Sequence, residues 1–394
     1  MIRFWFKLFY AVNFVGVGMF APYVAMYFMR KDLTNIQAGS LVALVSFVGF
    51  IAQPVWGIIS DKFNVTRLLV TVSCWTTSGI ILTYTLTDKF EYLVVTVILF
   101  SVMRAPLHAN VAALALNHLE LNDKREEYGK FRLWGSIGFI IATIISGGLF
   151  FEDNLTTAIY IFSGSLIVLG FISLKLPDRH TTNDIEWRDG LRLITDNQDL
   201  RLFLLGIICI GITLGIADQY LVVYLDELNA SAWIIGVTVA ATALPEIPIM
   251  GYAKTFVLKY GLRITFVLGI SALPVRWVFN MLVSNPNIAL PVQALHGVAM
   301  GVLLSVGVIY IDSILPKTLR ASGQALYLSS LYGLGPSIGL FLAGLLMNSG
   351  STRPLWILCL ISGSIGCYII SSAMRHRNKK QSNSKQQCTP IPTD

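Results

Sequence analysis

Long apolar segments alternate with short polar ones along almost the whole chain. Twelve of these segments are long enough to cross a bilayer as a helix, which takes about 20 apolar residues. In lipid, a helix is the one open-chain structure that satisfies its own backbone hydrogen bonds. The pattern therefore predicts an all-α integral membrane protein with twelve transmembrane helices.

The predicted spans fall into two sets of six on either side of a polar stretch at 178–199. They cover 4–28, 37–59, 67–86, 92–118, 133–151, 156–175, 202–225, 232–253, 263–283, 289–314, 323–347 and 355–374. The resulting organisation is an N-terminal six-helix bundle (1–176), a cytoplasmic linker (177–201), a C-terminal six-helix bundle (202–374) and a disordered cytoplasmic tail (375–394).

A weak internal repeat supports two pseudo-symmetric bundles. The loop after the second span runs from Gly57 to Arg67, and the loop at the matching place in the second set carries Lys259 and Arg263. Parallel six-helix repeats place a substrate site between them at mid-membrane and let one repeat rock against the other.

The distribution of charge predicts the orientation. The chain has a net charge of +7, but most of its basic residues fall in loops on one side. The other side holds only Arg30, Lys31, Lys89 and Arg353. Because cytoplasmic loops are enriched in Lys and Arg, this asymmetry predicts a multi-pass protein of the cytoplasmic (inner) membrane with both termini in the cytoplasm. The excess of basic residues is explained by membrane topology, so we do not expect nucleic-acid binding.

Patterns typical of enzymes are absent from the sequence. The five cysteines occur singly and without metal-ligand spacing, and there is neither a nucleophile elbow nor a phosphate-cradling glycine loop. We expect no enzymatic activity, no metal and no cofactor, and a protein that functions as a monomer in the lipid bilayer. A sensor built on a transporter scaffold is an alternative, but the short linker leaves no room for a signalling domain.

The loop Gly57-x-x-x-Asp61-Lys62-x-x-x-x-Arg67 resembles the signature loop of the major facilitator superfamily. The resemblance implies a conformational latch, in which a small residue allows close helix approach and ion pairs hold one conformation. A solvated charged loop is the alternative. Asn64 departs from the signature, where a glycine is common.

The segment from Tyr128 to Phe139 (YGKFRLWGSIGF) resembles the start of the fifth helix in the sugar, nucleoside and phenylpropionate proton-symporter branch of that superfamily, the lactose permease-like branch. The resemblance implies that Arg132 binds substrate and that Phe139 stacks on it. Seven residues apart, the two share one helix face. The alternative for Arg132 is a snorkelling residue at the start of the helix.

The resemblance continues in the second set of helices. Glu246 lies mid-span between two prolines that should break or kink the helix. Because a carboxylate there is costly unless it is paired or lines water, we interpret Glu246 as a functional residue. Arg276 and the segment QALHG, which contains His296, also fit the branch. The resemblance implies that Glu246 and His296 contact substrate, that Arg276 belongs to a proton relay, and that Asp218 is the acid of the seventh helix.

Three departures change the expected coupling. The fourth helix offers no carboxylate to pair with Arg132, Ala299 replaces the proton-carrying acid of the lactose permease-like branch, and Gln293 replaces a lysine. We therefore expect Glu246, and after it Asp218, to carry the proton. His108 and His296 could instead be bonded to a neighbouring backbone or hydroxyl group.

Arg104 lies about halfway along the fourth predicted helix, four residues before His108. We include His108 among the substrate-binding residues and Arg104 in the charge relay. Since the first bundle holds no intramembrane acid, either Asp218 or Glu246 pairs with its arginines across the cavity, or the substrate is anionic.

These features predict a proton-coupled symporter. It would import a small organic solute, such as a sugar, a nucleoside or an aromatic carboxylate, by alternating access. An exporter or antiporter, or a uniporter, is the alternative. A Gly-Pro segment in the eleventh helix, Gly333 to Gly339, superficially resembles the motif of drug antiporters, but in those families the motif belongs to the fifth helix.

Overall fold

The computed structural model describes residues 2–120, 128–150, 155–178, 197–315, 319–347 and 350–387. These residues form helices and short connections, with no strand among them. The helices of the first half are α1 (Ile2–Phe20), α2 (Val24–Met29), α3 (Asn35–Phe63), α4 (Thr66–Leu82), α5 (Phe90–Arg104), α6 (Pro106–Glu120), α7 (Tyr128–Phe150) and α8 (Leu155–Ser173). Those of the second half are α9 (Gln198–Glu227), α10 (Ala232–Ala243), α11 (Glu246–Tyr260), α12 (Leu262–Leu282), α13 (Pro286–Val302), α14 (Val308–Ile314), α15 (Arg320–Ser329), α16 (Gly335–Leu346) and α17 (Arg353–Gln387).

Within the described ranges, eleven helical segments are long and apolar enough to cross a membrane. Several of them combine consecutive helices, such as α1 with α2 over Ile2–Met29 and α10 with α11 over Ala232–Tyr260. The prediction of an all-α, multi-pass membrane fold is confirmed. The fourth of the twelve predicted spans is absent from these eleven segments, because neither of the two helices at its position is long enough.

That fourth span is divided into α5 and α6 at Ala105, immediately before Pro106. A proline within a helix lacks the N–H that would bond the carbonyl four residues earlier. Here that carbonyl belongs to Val102, and it accepts a hydrogen bond of 2.8 Å from the indole N–H of Trp56. The continuous helix predicted over 92–118 is therefore wrong at this point, and Pro106 is the reason.

The eighth span is also interrupted, as the sequence predicts. Helix α10 ends at Ala243, and α11 begins at Glu246, directly after Pro245. The tenth and eleventh spans each contain a π-helical turn, at Leu303–Gly307 and Ser330–Leu334. Such turns are rare and often occur at functional sites. All of these irregularities lie within membrane-spanning segments.

The two halves pack closely at one face of the protein. We call the face where α1 begins the N-terminal face and the other the opposite face. Near the opposite face, a Cβ added to Gly147 of α7 would lie 2.5 Å from Cα of Gly236 in α10. Gly39 of α3 and Gly344 of α16 are in equally close backbone contact. Only glycine permits helices to approach this closely, so both crossings seal the opposite face.

Towards the N-terminal face the two halves diverge. No neighbouring atom lies within 4 Å of the position that a Cβ would take at Gly49 or Gly57 of α3, or at Gly251 of α11. Helix α3 packs against α16 but not against α15, and α7 packs against α10 but not against α11, so the space between the halves is open on this side. The close helix approach that the sequence predicts at Gly57 does not occur in this conformation, because the facing half lies away from it.

The predicted boundaries of the two bundles differ from the helix ends in the structure. Helix α9 begins at Gln198, within the predicted linker, and the remainder of that linker at 179–196 lies outside the described residues. The predicted disordered tail begins at 375, whereas α17 continues to Gln387. Its Lys and Gln residues have good helix propensity, which favours continuation of the helix. Residues 388–394 lie outside the described range.

Candidate functional site

A cavity of about 270 Å³ lies between the two halves. Its volume is close to the lower end of the range of about 300–1,000 Å³ that is usual for small-molecule pockets. Most of the charged and aromatic residues that the sequence predicts as site residues line it, namely Arg132, Phe139, Asp218, Glu246, Arg276 and His296. The fold thus brings together six positions that are distant in the sequence.

Helix α7 supplies the first-half wall of the cavity. Arg132 and Phe139 both line the cavity, in agreement with the predicted common helix face. Ser136, between them on the same face, also lines it. This wall therefore offers a guanidinium group, a hydroxyl group and an aromatic ring to whatever occupies the cavity.

Glu246 faces this wall from the second half. Its Oε1 lies 3.7 Å from Nη2 of Arg132, and its side chain is only 16% exposed. Because Pro245 interrupts the helix, Glu246 falls in the first turn of α11, where free peptide N–H groups favour a negative charge. The break in the eighth span thus places a carboxylate at mid-membrane, opposite a guanidinium group of the other half.

Arg276 is the centre of a buried hydrogen-bond network in the second half. Its Nε donates to Oε1 of Gln293 at 2.7 Å, and its Nη1 lies 2.9 Å from Nδ1 of His296. Gln293 in turn donates to Oδ1 of Asn280 at 3.0 Å. Arg276 is 1% exposed, and its guanidinium lies 4.6 Å from the ring centre of Trp277. Several of the donors of this buried cation are therefore satisfied.

The network fixes the protonation of His296. Arginine has donors only, so Nδ1 of His296 must accept from Arg276, and the ring proton then lies on Nε2. Nε2 faces Oδ1 of Asp218 at 3.7 Å. Asp218 points into the cavity, where 54% of its side chain is exposed. A chain of polar groups thus leads from Arg276 through His296 to a carboxylate in contact with the cavity.

Arg104 lies apart from this chain. It is absent from the lining of the central cavity and lines two smaller ones, of about 190 and 110 Å³. Its guanidinium carbon lies 4.9 Å from the ring centre of Phe162 and 5.8 Å from that of Phe100. His108, which the sequence predicts on the same face, belongs to the next helix, α6, and its side chain lies outside the described residues.

The predicted latch residues lie at the N-terminal face. Arg67 is 3.7 Å from Asp178 through its Nη2, and its backbone N–H donates to the same carboxylate at 3.4 Å. Lys62 is exposed and lies 5.7 Å from the ring centre of Phe63. The side chain of Asp61 lies outside the described residues. The ion pair found at this loop therefore joins Arg67 to the residue that follows the sixth span.

Three polar residues of the site are missing from the sequence prediction. Asn280 extends the network of Arg276, Tyr332 lines the central cavity, and Gln219 lines both the central cavity and the smallest one. Asn280 has a signal, since it is four residues after Arg276 and so on the same helix face. Tyr332 lies in the π-helical turn of the eleventh span, which periodicity does not reveal.

Comparison with known proteins identifies the same architecture. The sequence profile of the MFS_1 like family matches residues 3–358. The chain is 26% identical to the uncharacterized transporter YwbF of Bacillus subtilis (strain 168), over 89% of this chain and 88% of the relative. It is 24% identical to the maltose permease of Geobacillus stearothermophilus, over 94% and 95%.

A solved structure agrees with these relatives in fold. The crystal structure of the nucleoside transporter NupG superimposes with a TM-score of 0.81 at 16% identity, over 95% of this chain and 98% of that one. With the helical arrangement and the cavity between two halves, these matches lead to one conclusion. The chain belongs to the MFS_1 like family of membrane transporters, within the major facilitator superfamily.

Proposed function

We propose that this protein is a proton-coupled symporter that takes up a small polar organic solute by alternating access. The solute binds in the central cavity between Arg132 and Phe139 on one side and Asp218, Glu246, Arg276 and His296 on the other. Such a carrier makes and breaks no covalent bond of its solute, so the role is transport and not catalysis.

The ion pair between Arg132 and Glu246 carries this proposal. It joins the two halves across the cavity at a distance of 3.7 Å, so its strength influences whether the halves stay together or separate. Protonation removes the charge of Glu246 and with it the electrostatic attraction. The same event frees the guanidinium fork of Arg132 for hydroxyl pairs or a carboxylate of the solute.

The transport cycle follows from this coupling. With the cavity open to the outside, a proton neutralises Glu246 and the solute binds to Arg132. The loaded carrier then has one buried charge fewer to move through the closed state, where buried charge is costly. After the cavity opens inwards, the solute leaves, Glu246 loses its proton and the pair with Arg132 forms again.

The contact between Asp218 and His296 is a second interaction that depends on protonation in this cycle. His296 presents its N–H to Asp218, so the imidazole stabilises the ionised carboxylate. Protonation of Asp218 removes that interaction and leaves Arg276 held by Gln293. We assign the transported proton to Glu246 first and to Asp218 second, and we give Arg276 the role of holding His296 in its tautomer.

The proposed orientation places the N-terminal face in the cytoplasm of a cell with an inner membrane. This face carries Lys62, Arg67, Lys175, Arg201, Lys259 and Arg263 among the described residues, which accords with the positive-inside rule. In this orientation the present conformation is inward-open. The latch at Gly57, Asp61, Lys62 and Arg67 would close the N-terminal face when the carrier turns outwards.

The substrates of related permeases narrow the solute class. The relatives include a maltose permease, a lactose permease of Klebsiella oxytoca and a xanthosine permease of Escherichia coli (strain K12). Each of these solutes is rich in hydrogen-bonding groups, as is the cavity. We therefore propose a sugar, a nucleoside or a planar organic acid as the solute class.

A recording of lumen pH in proteoliposomes tests the proposal. The purified protein is reconstituted with a trapped pH indicator, and maltose, xanthosine and aromatic acids are added outside in turn. Acidification of the lumen by one of these solutes is expected, because symport carries the proton inwards with it. Protein-free liposomes are the control for weak acids that cross the bilayer on their own.

The remaining outcomes contradict symport. Alkalinisation of the lumen would indicate an antiporter or exporter. Uptake of radiolabelled solute without a pH change would indicate a uniporter, in which the replacement of the relay acid by Ala299 has removed proton coupling.

A further inference from the structure

Arg104 is a membrane-embedded cation for which the described residues provide no counterion. None of the ion pairs among them includes Arg104, and its Nη1 atom is buried without a hydrogen-bond partner. The faces of Phe100 and Phe162 give it partial compensation through cation–π contacts. A charged side chain at this depth usually pairs with another group or marks a substrate or ion pathway.

The two cavities that Arg104 lines adjoin the central cavity. Gln219 lines both the central cavity and the 110 Å³ cavity, and Tyr332 lines both the central cavity and the 190 Å³ cavity. Arg104 lines both smaller cavities. A solute in the central cavity therefore lies next to the cavities of Arg104, with the polar side chains of Gln219 and Tyr332 at the shared walls.

Gln219 adds a second unsatisfied group to this region. Its Oε1 atom is buried and has no hydrogen-bond partner. Rotation of the amide exchanges its oxygen with its NH₂ group, which is a donor. Ser46 of α3 also lines both smaller cavities. A guanidinium, an amide and a hydroxyl group together provide the donors that a carboxylate accepts.

The charges of the three cavities do not balance. Their described lining holds three cations, Arg104, Arg132 and Arg276, and two carboxylates, Asp218 and Glu246. His296 is neutral in the tautomer that Arg276 imposes. With both carboxylates ionised, the lining keeps one excess positive charge, and that charge is at Arg104.

We infer that Arg104 forms an anion subsite that binds the carboxylate of a monoanionic organic solute. The remainder of the solute lies in the central cavity against Arg132 and Phe139. This inference rests on the proposed transport function and names its substrate class. One such anion and one proton together carry no net charge, so their joint movement is electroneutral.

Thermal unfolding of the purified, full-length protein with small probes tests the subsite. Benzoate and benzamide have the same shape and differ in charge, and sodium chloride at equal concentration controls for inorganic anions. We expect benzoate to raise the melting temperature in a saturable way, and benzamide and chloride to leave it unchanged. The variant Arg104→Gln should lose the benzoate response, and Arg104→Lys should retain part of it.

Each other result overturns the subsite. The absence of a benzoate response in the wild-type protein, an equal response to benzamide, or an undiminished response in Arg104→Gln would exclude a carboxylate at Arg104. Equal stabilisation by chloride would make the ligand an inorganic anion. Should Arg104→Gln fold poorly, Arg104→Leu takes its place, because it also removes the positive charge, and an undiminished benzoate response in that variant overturns the subsite.

The thermal assay tests the anion subsite and the lumen-pH assay tests symport, so either hypothesis can be refuted without the other. The thermal assay needs no proton gradient and no translocation, so a benzoate response stands even if lumen pH never changes. Conversely, a neutral solute that acidifies the lumen equally in wild-type and Arg104→Gln vesicles would support symport and overturn the anion subsite.

Discussion

The two halves of the protein hold their membrane-embedded arginines in different ways. In the second half, Arg276 is bonded to Gln293 and His296, and its neighbours are bonded to one another. In the first half, Arg132 reaches across the cavity to Glu246, and Arg104 has no carboxylate among the described residues. Arg276 is therefore held by groups of its own half in the empty protein, whereas Arg132 depends on a carboxylate of the other half.

This difference separates a scaffold from a binding surface. A buried hydrogen-bond network formed within one half holds its side chains in place when the cavity is empty. An arginine without a fixed counterion is free to take one from a ligand. We therefore interpret the second-half wall as the part that holds the protonatable groups in place, and the first-half wall as the part that changes partner during transport.

The largest expected effect comes from Arg276→Gln. The substitution leaves Oε1 of Gln293 and Nδ1 of His296 without their shared donor, and each buried acceptor left unpaired costs about 1–3 kcal/mol. We expect uptake to fall below detection and the melting temperature to drop. Arg263→Gln on the same helix is the matched control, because Arg263 bonds Ser371 outside the cavity and should leave uptake nearly unchanged. Normal uptake by Arg276→Gln would refute the scaffold role.

A smaller effect is expected from Gln293→Ala. Arg276 keeps His296 but loses the acceptor for its Nε, and a buried donor left unpaired costs about 1–3 kcal/mol. We expect about a tenfold loss of transport rate, the equivalent of about 1.4 kcal/mol. Gln324→Ala is the control, because Gln324 bonds Asp312 away from the cavity. An equal loss in both variants, measured by tracer uptake, would mean that the network has no special role.

The smallest effect is expected on the stability of Arg104→Gln without ligand. Removing a buried cation that has no counterion relieves a desolvation penalty, while the cation–π contacts are lost. The free energy of unfolding should therefore stay within about 1 kcal/mol of the wild-type value. A loss of stability as large as that of Arg276→Gln would show that Arg104 already has a strong partner in the empty protein.

The fold is largely predictable because each membrane-spanning helix requires a long apolar segment in the sequence. Apolar length alone predicts the helices, and Pro245 predicts the interruption that places Glu246 in the first turn of α11. Pro106 gives the same signal for the fourth span, where the prediction of a continuous helix is wrong. The difference lies in Trp56, whose hydrogen bond to Val102 stabilises the break and comes from a distant helix that local patterns do not reveal.

The residues of the candidate site can be predicted from the sequence, but the contacts between them cannot. Helix periodicity and family resemblance select Arg132, Glu246, Arg276 and His296, and all four line one cavity. Which atoms meet depends on how the helices cross, so the sequence leaves open whether Glu246 or Asp218 pairs with the first-half arginines. Gln293 replaces a lysine of the lactose permease-like branch. Its hydrogen bond with Arg276 likewise depends on how the helices pack.

Coupling at Glu246 is the central claim, and one comparison tests it most directly. Vesicles with wild-type protein or Glu246→Gln are assayed for tracer exchange at equal pH, and for accumulation when the outside is acidic. We predict that Glu246→Gln keeps exchange within about threefold of wild type but gains no accumulation from the pH gradient. The same substitution at exposed Glu91 should leave both unchanged. Gradient-driven accumulation by Glu246→Gln at the wild-type level would contradict the account.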